Sequence, residues 1–439
     1  MLIKRDLYLQ KLVAAKHDGF VKIITGIRRC GKSCLLGRIY RRYLLSRGVP
    51  ASRIVQVDLD DDKNEKLRDP RKLSKWIRSR IKSDSVWHYI FIDEIQMCEE
   101  VPVDVDGAKT KLTFYDVLNG LLKCPKLDIY VTGSNSKTLS SDIATNFRDR
   151  GEEIRLHPLS FAEFFPTVKK DEYSAFREYM LYGGMPLCVL KKTDREKREY
   201  LTSLFSKVYL KDVVERNKVR DTALLENILN VLSSSVGSLT NPTKLANQLN
   251  SQVGLKTNCP TVQRQIGYVK DAFLFSQVER YDVRGKRYLD YPQKYYAEDV
   301  GLRNSRLNFR EFEEQHLMEN IIYNELICRG YAVDVGVVEV DVNENGKISR
   351  KSCEIDFVVN TGFNKIYIQS AYSLSGEGKR EQETLSLRKT GDFFRKFVIT
   401  AANAPLTEGA DGIVYVGIIP FLLDRRILER AIVEVRNAI

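Results

Sequence analysis

Two glycines five residues apart, with a Lys-Ser pair directly after the second, make Gly26-Ile27-Arg28-Arg29-Cys30-Gly31-Lys32-Ser33 the segment best equipped to hold phosphate. Glycines let a short loop curl so that successive backbone N–H groups point inward at anionic oxygens. Arg28, Arg29, Cys30 and Cys34 would line this loop, Lys32 would reach the β- and γ-phosphate oxygens of ATP, and the Ser33 hydroxyl would ligate Mg²⁺. A helix that begins at Lys32 adds the positive end of its dipole.

Such a loop needs a metal-ordering carboxylate at the end of a nearby strand, and Tyr89-Ile90-Phe91-Ile92 runs straight into Asp93 and Glu94. Asp93 is expected to hold the magnesium, and Glu94 to act as general base toward the water that attacks the γ-phosphate. A third apolar run, 127–132, ends in Gly133-Ser134-Asn135, where Asn135 is the candidate for orienting that water. Arg150, ahead of Arg148, is the candidate for neutralising charge during phosphoryl transfer, either within one chain or from a neighbouring copy in a homo-oligomer.

The elements that must position these residues are legible as hydrophobic patterns. Residues 20–25 and 127–132 read as buried parallel strands, 152–156 as a further strand, and the apolar spacing of Leu35, Leu36, Ile39, Tyr40, Tyr43 and Leu44 as the helix after the loop. Strand, phosphate loop, helix and carboxylate-tipped strand together predict an α/β unit. Tyr182-Gly183-Gly184-Met185-Pro186 breaks the chain after a helix and is expected to close that unit. Farther on, three helices and two strands over 222–300, with Asn241-Pro242 starting one helix, predict a winged helix. Its candidate nucleic-acid contacts are Gln263, Arg264, Arg284, Lys286 and Arg287.

Taken together, GIRRCGKSCLL, IFIDEIQ, IYVTGSNSKTLS, LHPLSFAEFF, YLTSLFSKVYLKDVVER and EIDFVV resemble the prokaryotic AAA+ ATPases that carry a C-terminal domain of unknown function. The resemblance covers nearly the whole chain. It implies an AAA-type P-loop ATPase domain over 1–190, with a parallel sheet sandwiched by helices. A helical linker and winged-helix domain over 191–305 and an α/β domain similar to the PD-(D/E)XK nuclease (restriction-endonuclease-like) fold over 306–439 would follow. In that last domain Asp356 and Gln369 match the Asp and Glu/Gln pair of the nuclease pattern, with Glu325 on the preceding helix as the candidate third oxygen ligand. The lysine expected two residues after Gln369 is replaced by Ala371, and neither Lys365 nor Lys379 has the right spacing. The reading that follows is a Mg²⁺-dependent ATPase that switches a winged-helix, nuclease-like platform, with DNA as a candidate partner. The alternatives are an ATP-gated nuclease and a nucleotide-switched protein-interaction regulator without nucleic-acid binding.

Charge distribution narrows the partner. Lys and Arg number 70 against 58 Asp and Glu, a formal net charge of +12, but residues 1–60 hold 13 basic and 4 acidic side chains and 191–220 hold 10 and 5. Residues 291–439 hold 19 basic and 22 acidic, too few cations for the walls of a nucleic-acid channel. The excess therefore surrounds the phosphate loop and one mid-chain helical region, whose charged face is expected to be solvated. No run approaches the ~18 apolar residues of a membrane span. The opening MLIKRDLYLQKL carries charges where a signal sequence needs an apolar core. Eight cysteines never form a CxxC pair, so a cytoplasmic protein with reduced thiols and no membrane partner is expected.

Overall fold

Runs in which nearly every residue is apolar or β-branched have no face to show to water, so they belong inside a parallel sheet covered on both sides. The computed structural model describes residues 2–81, 83, 85–105, 108–133, 150–344, 347–362 and 364–430. It divides the chain into two compact units, Met1–Pro158 with Asp271–Phe273, and Leu159–Lys270 with Leu274–Ile439.

The first unit is built on β1 (Val21–Thr25), β2 (Ile54–Asp58), β3 (His88–Asp93), a hairpin of β4 (Val101–Val105) and β5 (Ala108–Leu112), then β6 (Leu127–Thr132) and β7 (Gly151–Arg155). Five of these make one sheet in the order β2-β3-β6-β1-β7, with every pair parallel. β1, β3 and β6 are buried at every position. One face packs on the helices Pro70–Arg78 and Phe114–Leu121 through Leu73, Ile77, Val117, Leu118 and Leu121. Each helix starts where its sequence says it should. Asp69 caps the first ahead of Pro70, and Thr113 and Asp116 form a capping box on the second.

Within the sheet the ammonium of Lys22 is fully buried and meets Asp128 Oδ1 at 2.5 Å and Asp18 Oδ1 at 2.8 Å. Tyr130 donates to the other oxygen of Asp128 at 2.9 Å, and the Tyr40 and Tyr130 hydroxyls are 2.6 Å apart. A charge so deep in the sheet is tolerated because every polar neighbour is matched.

The second unit opens with helices. Three of them, α1 (Thr222–Ser234), α2 (Pro242–Gln252) and α3 (Cys259–Asp271), surround the short strand β8 (Leu239–Thr240) and lead into β9 (Phe275–Asp282) and β10 (Arg287–Ala297). Asn241 accepts from the Thr243 N–H and caps α2 ahead of Pro242. Next come α4 (Glu314–Cys328), β11 (Ala332–Glu344), β12 (Lys347–Asn360), β13 (Lys365–Ala371), α5 (Glu377–Arg388), β14 (Arg395–Thr400), β15 (Thr407–Glu408) and β16 (Ile413–Gly417). All nine strands of this unit form one sheet, β15-β16-β14-β13-β12-β11-β9-β10-β8. β11–β12 and β12–β13 pair antiparallel, while β13–β14 and β14–β16 are parallel.

Gly183-Gly184 lies inside this second unit. The Gly184 amide donates to Asp299 Oδ2 at 2.7 Å, and its carbonyl accepts from the Leu159 amide at 2.8 Å. A Cβ added to Gly184 would lie 2.1 Å from the Leu159 carbonyl oxygen and 2.9 Å from its nitrogen. Both are backbone atoms that cannot swing aside. Gly184→Ala is therefore expected to lower stability by about 1–3 kcal/mol or more, read as a reduced urea midpoint at unchanged m-value.

Candidate functional site

The C-terminal ends of β1, β3 and β6 are adjacent, and the residues that could act on phosphate collect there. After Thr25 the chain turns through Gly26, at φ 136°, where a Cβ would sit 2.1 Å from the Leu156 carbonyl oxygen. Arg29 (φ 62°) and Gly31 (φ 106°) take left-handed conformations that complete the loop, and Cys30 is buried with its thiol donating to the Leu156 oxygen at 3.4 Å. Lys32 starts a helical stretch formed by Lys32–Cys34, the wider-turned Leu35–Tyr40 and Arg41–Ser46. Its side chain is buried and curls back into the loop, where Nζ donates to the carbonyls of Gly26 (2.9 Å) and Ile27 (3.2 Å). Ser33 is exposed on the first turn, Cys34 and Arg28 are half-buried, and Arg29 is exposed.

Across the sheet Asp93 is buried at the end of β3, and the hydroxyl of Thr132 at the end of β6 donates to Asp93 Oδ1. The same hydroxyl accepts from the Glu94 amide at 3.0 Å. Glu94, half-buried, takes a left-handed backbone (φ 51°) and accepts from the Gln96 amide group. A non-glycine residue held in that region is strained, and such strain concentrates at sites whose geometry matters. Thr132 was not among the residues singled out from the sequence. The usable signal was a hydroxyl closing an apolar strand, in parallel register one residue past Ile92–Val131. Asp58, at the end of β2 and in register with Asp93, has its carboxyl held above the usual range by burial.

Arg150 is exposed just before β7, and its carbonyl accepts from the Val21 amide at 2.8 Å. Asn135 and Arg148 lie outside the described residues. All eight cysteines are free thiols.

The second unit holds a different cluster. Lys294, on β10 and buried, reaches Glu319 (2.9 Å) on α4 and Glu354 (2.5 Å) and Asp356 (3.2 Å) on β12. Tyr296 donates to Glu319 Oε1 at 2.6 Å, and Asp356 Oδ2 accepts from the Ser370 amide at 2.9 Å. Burial pulls the Lys294 ammonium toward neutrality, but the surrounding carboxylates outweigh it and hold its pKa well above the ordinary lysine value. Three acids around one cation leave a surplus of negative charge. Burial accordingly pushes Glu319 up to about 7, and raises Glu354 as well.

This arrangement corrects the expected ligand set. Glu325 faces away from the cluster and accepts from Arg329 Nε at 2.7 Å. The carboxylate of α4 that meets Asp356's surroundings is Glu319, about one and two-thirds turns earlier in the same helix. Gln369 is nearby, with Oε1 accepting from the Asp356 amide at 3.4 Å. Lys365 is engaged elsewhere, 2.8 Å from the Tyr281 hydroxyl, so the ammonium in the cluster comes from β10 and neither Lys365 nor Lys379 supplies it. Among the described residues no group of three or more His, Cys, Asp or Glu is arranged to hold a metal ion.

Residues 18–165 match the model of the family described as "AAA domain", and 173–313 match "Domain of unknown function (DUF8612)". The chain is 32% identical over 427 residues to an uncharacterized protein of Haemophilus influenzae, covering 96% of this chain and 99% of that one. This chain belongs to that protein's family and carries an AAA+ P-loop ATPase domain. The uncharacterized protein MJ1544 of Methanocaldococcus jannaschii is 28% identical over 403 residues, 88% of this chain and 81% of that one. Among solved structures, the Aeropyrum pernix ORC2 protein, in ADPNP–ADP complexes, superposes at a TM-score of 0.35 with 10% identity, over 62% of this chain and 84% of that one.

In the AAA domain the loop, Lys32, Asp93, Glu94 and Thr132 share one edge of the sheet. Of the residues expected to touch nucleic acid in the second unit, Gln263 donates to the Tyr291 hydroxyl at 2.7 Å and Arg287 pairs with Asp282 at 3.5 Å. The Arg284 guanidinium is spent on the carbonyls of Lys389 (2.7 and 3.1 Å) and Glu339 (3.3 Å), so it holds the fold together and is not free for a phosphate. Arg264 and Lys286 are exposed. No helix among the described residues is long and apolar enough to cross a membrane.

Two outcomes follow from the Lys294 cluster. Lys294→Met should cost about 3–5 kcal/mol in urea denaturation, since it strands buried carboxylates without their cation. The pH dependence has a definite sign. Glu319 binds its proton more tightly folded (about 7) than at its ordinary 4.5, so the stability it contributes is full below 4.5 and is lost as pH rises through 7. Denaturation midpoints between those pH values should fall in the wild type and fall less in Glu319→Gln.

Proposed function

We propose that the AAA domain hydrolyses ATP, with Lys32 on the β- and γ-phosphates, Glu94 as general base and Thr132 setting the orientation of Asp93 and Glu94. The single observation that carries this reading is the Thr132 hydroxyl joined to both acidic residues, at the sheet edge where the loop and Lys32 also end. The Lys32 ammonium donates to loop carbonyls, and phosphate oxygens would offer it stronger, charge-assisted partners. The loop amides of Arg28 to Cys34 would face the same phosphates.

Ser33, on the first helical turn after the loop, and Asp93, at the end of β3, are hard-oxygen donors that suit a magnesium ion. When bound, that ion neutralises charge on the β- and γ-phosphates. Arg150 is the candidate for the arginine that acts during transfer, with a homo-oligomer implied if it acts on a neighbouring chain.

The proposed division of the remainder is a helical linker and winged helix over 191–305 and a nuclease-like domain over 306–439. The order helix, short strand, helix, helix, hairpin supports the first, and α4, three antiparallel-paired strands, α5 and a parallel strand support the second. The Lys294 ammonium among the acids favours a version of that domain that does not cleave phosphodiesters. ATP turnover would then switch this platform, with DNA as its candidate partner.

Lys32→Ala should abolish tight ATP binding. Glu94→Gln should retain binding and slow turnover by about 10²–10⁴-fold. Thr132→Ala should retain binding and slow turnover by about 10-fold or more, as removing the support of a reacting group does. Phosphate release paired with fluorescent-nucleotide binding separates these outcomes, and wild-type turnover in all three variants would sink the reading.

A further inference from the structure

A cleft of about 360 Å³ opens within the second unit, lined by the turn after the helix Lys211–Asn217, the start of α1, the loop before α3 and one face of α3. Lys218, Arg220, Lys256 and Arg264 line it, against a single acid, Asp221. Asp221 is already occupied as the cap of α1, where Oδ1 accepts from the Leu224 amide at 2.9 Å. Among the described residues none of the four cations makes a side-chain hydrogen bond or an ion pair. Four positive groups gathered on one small cavity against one acid leave a net positive potential that attracts an anion.

A second, independent feature points to a ligand. Thr261, Arg264, Gln265 and Tyr268 fall at the spacing that puts them on one face of α3, and all four line the cleft. Gln265 is only 5% exposed, and its Oε1 is buried without a hydrogen-bond partner. Buried acceptors are normally satisfied, and no described group of the chain donates to this one. The loop that carries Lys256 is held in place, because Asn250 and Thr257 exchange two hydrogen bonds of 2.8 and 2.9 Å. The backbone on that side of the cleft is therefore fixed by the fold.

We infer that this cleft binds a phosphorylated small molecule of nucleotide size, the cations holding its phosphate and Gln265 Oε1 accepting from one of its hydroxyl or amino groups. Its volume lies at the lower end of the roughly 300–1,000 Å³ of small-molecule sites. Tyr268 supplies an aromatic wall for the rest of the ligand. The inference rests on the second unit alone and does not require the AAA domain to hydrolyse ATP.

The test uses the full chain carrying Lys32→Ala, so that the phosphate loop does not compete. Calorimetry at low salt compares inorganic phosphate, the four ribonucleoside monophosphates and a short single-stranded DNA. At least one monophosphate is expected to bind more tightly than inorganic phosphate. Reversing two of the four exposed charges, Lys256→Glu with Arg264→Glu, should weaken it by about tenfold or more at an unchanged melting temperature. Gln265→Met should reduce monophosphate affinity toward that of inorganic phosphate and leave inorganic phosphate binding as it was. No binding of any monophosphate, DNA binding without monophosphate binding, affinity untouched by charge reversal, or a Gln265→Met chain that keeps its full preference for the monophosphate would each overturn the inference.

Discussion

An ammonium group taken out of water costs several kcal/mol unless oxygen atoms surround it, and this requirement organises both units of the protein. In the first, Lys22 sits inside the parallel sheet and is met by Asp128 and Asp18, which ties β1 to β6. Those are the strands whose next residues open the phosphate loop and whose last residue is Thr132. In the second unit Lys294 draws Glu319, Glu354 and Asp356 together and so ties β10 to β12 and α4. Lys197, buried against Glu178, repeats the pattern among the helices.

The same physics separates two groups of carboxylates that look alike as lists of residues. Asp93 and Glu94 are paired with neutral groups, a threonine hydroxyl and a glutamine amide. Glu319, Glu354 and Asp356 are already answered by an internal cation, and burial holds a proton on Glu319 into the neutral range. The first group is met by neutral donors, whereas the second is a structural lock.

Much of this was legible in the sequence because it is local. Strands at 127–132 and 365–371, the Asn241-Pro242 helix start and the glycine-rich loop depend on neighbours within a few residues, and each is found where the pattern places it. Glu325 shows where local reading stops. It lies on the predicted helix, but Arg329, four residues on and therefore on the same face, claims it, while Glu319 faces the cluster. That i, i+4 pair was a visible signal. Lys294 offered none, being 62 residues from Asp356 and on a strand with no nuclease-like pattern. Arg284 read as a free cation of a wing, and only the fold revealed the carbonyls that hold it.

By itself, then, the sequence determined the phosphate loop and the carboxylate-tipped strand, since two glycines at fixed spacing and a buried strand's end dictate their own backbone geometry. Tertiary structure decided which charges meet. Lys218 and Arg220 belonged to a basic stretch whose charge was expected to be solvated, and both are exposed, but only the fold brings them to one cavity with Lys256 and Arg264. Charge pairing acts over a few ångströms of space and is indifferent to separation along the chain, so no count along the chain could have found that cleft.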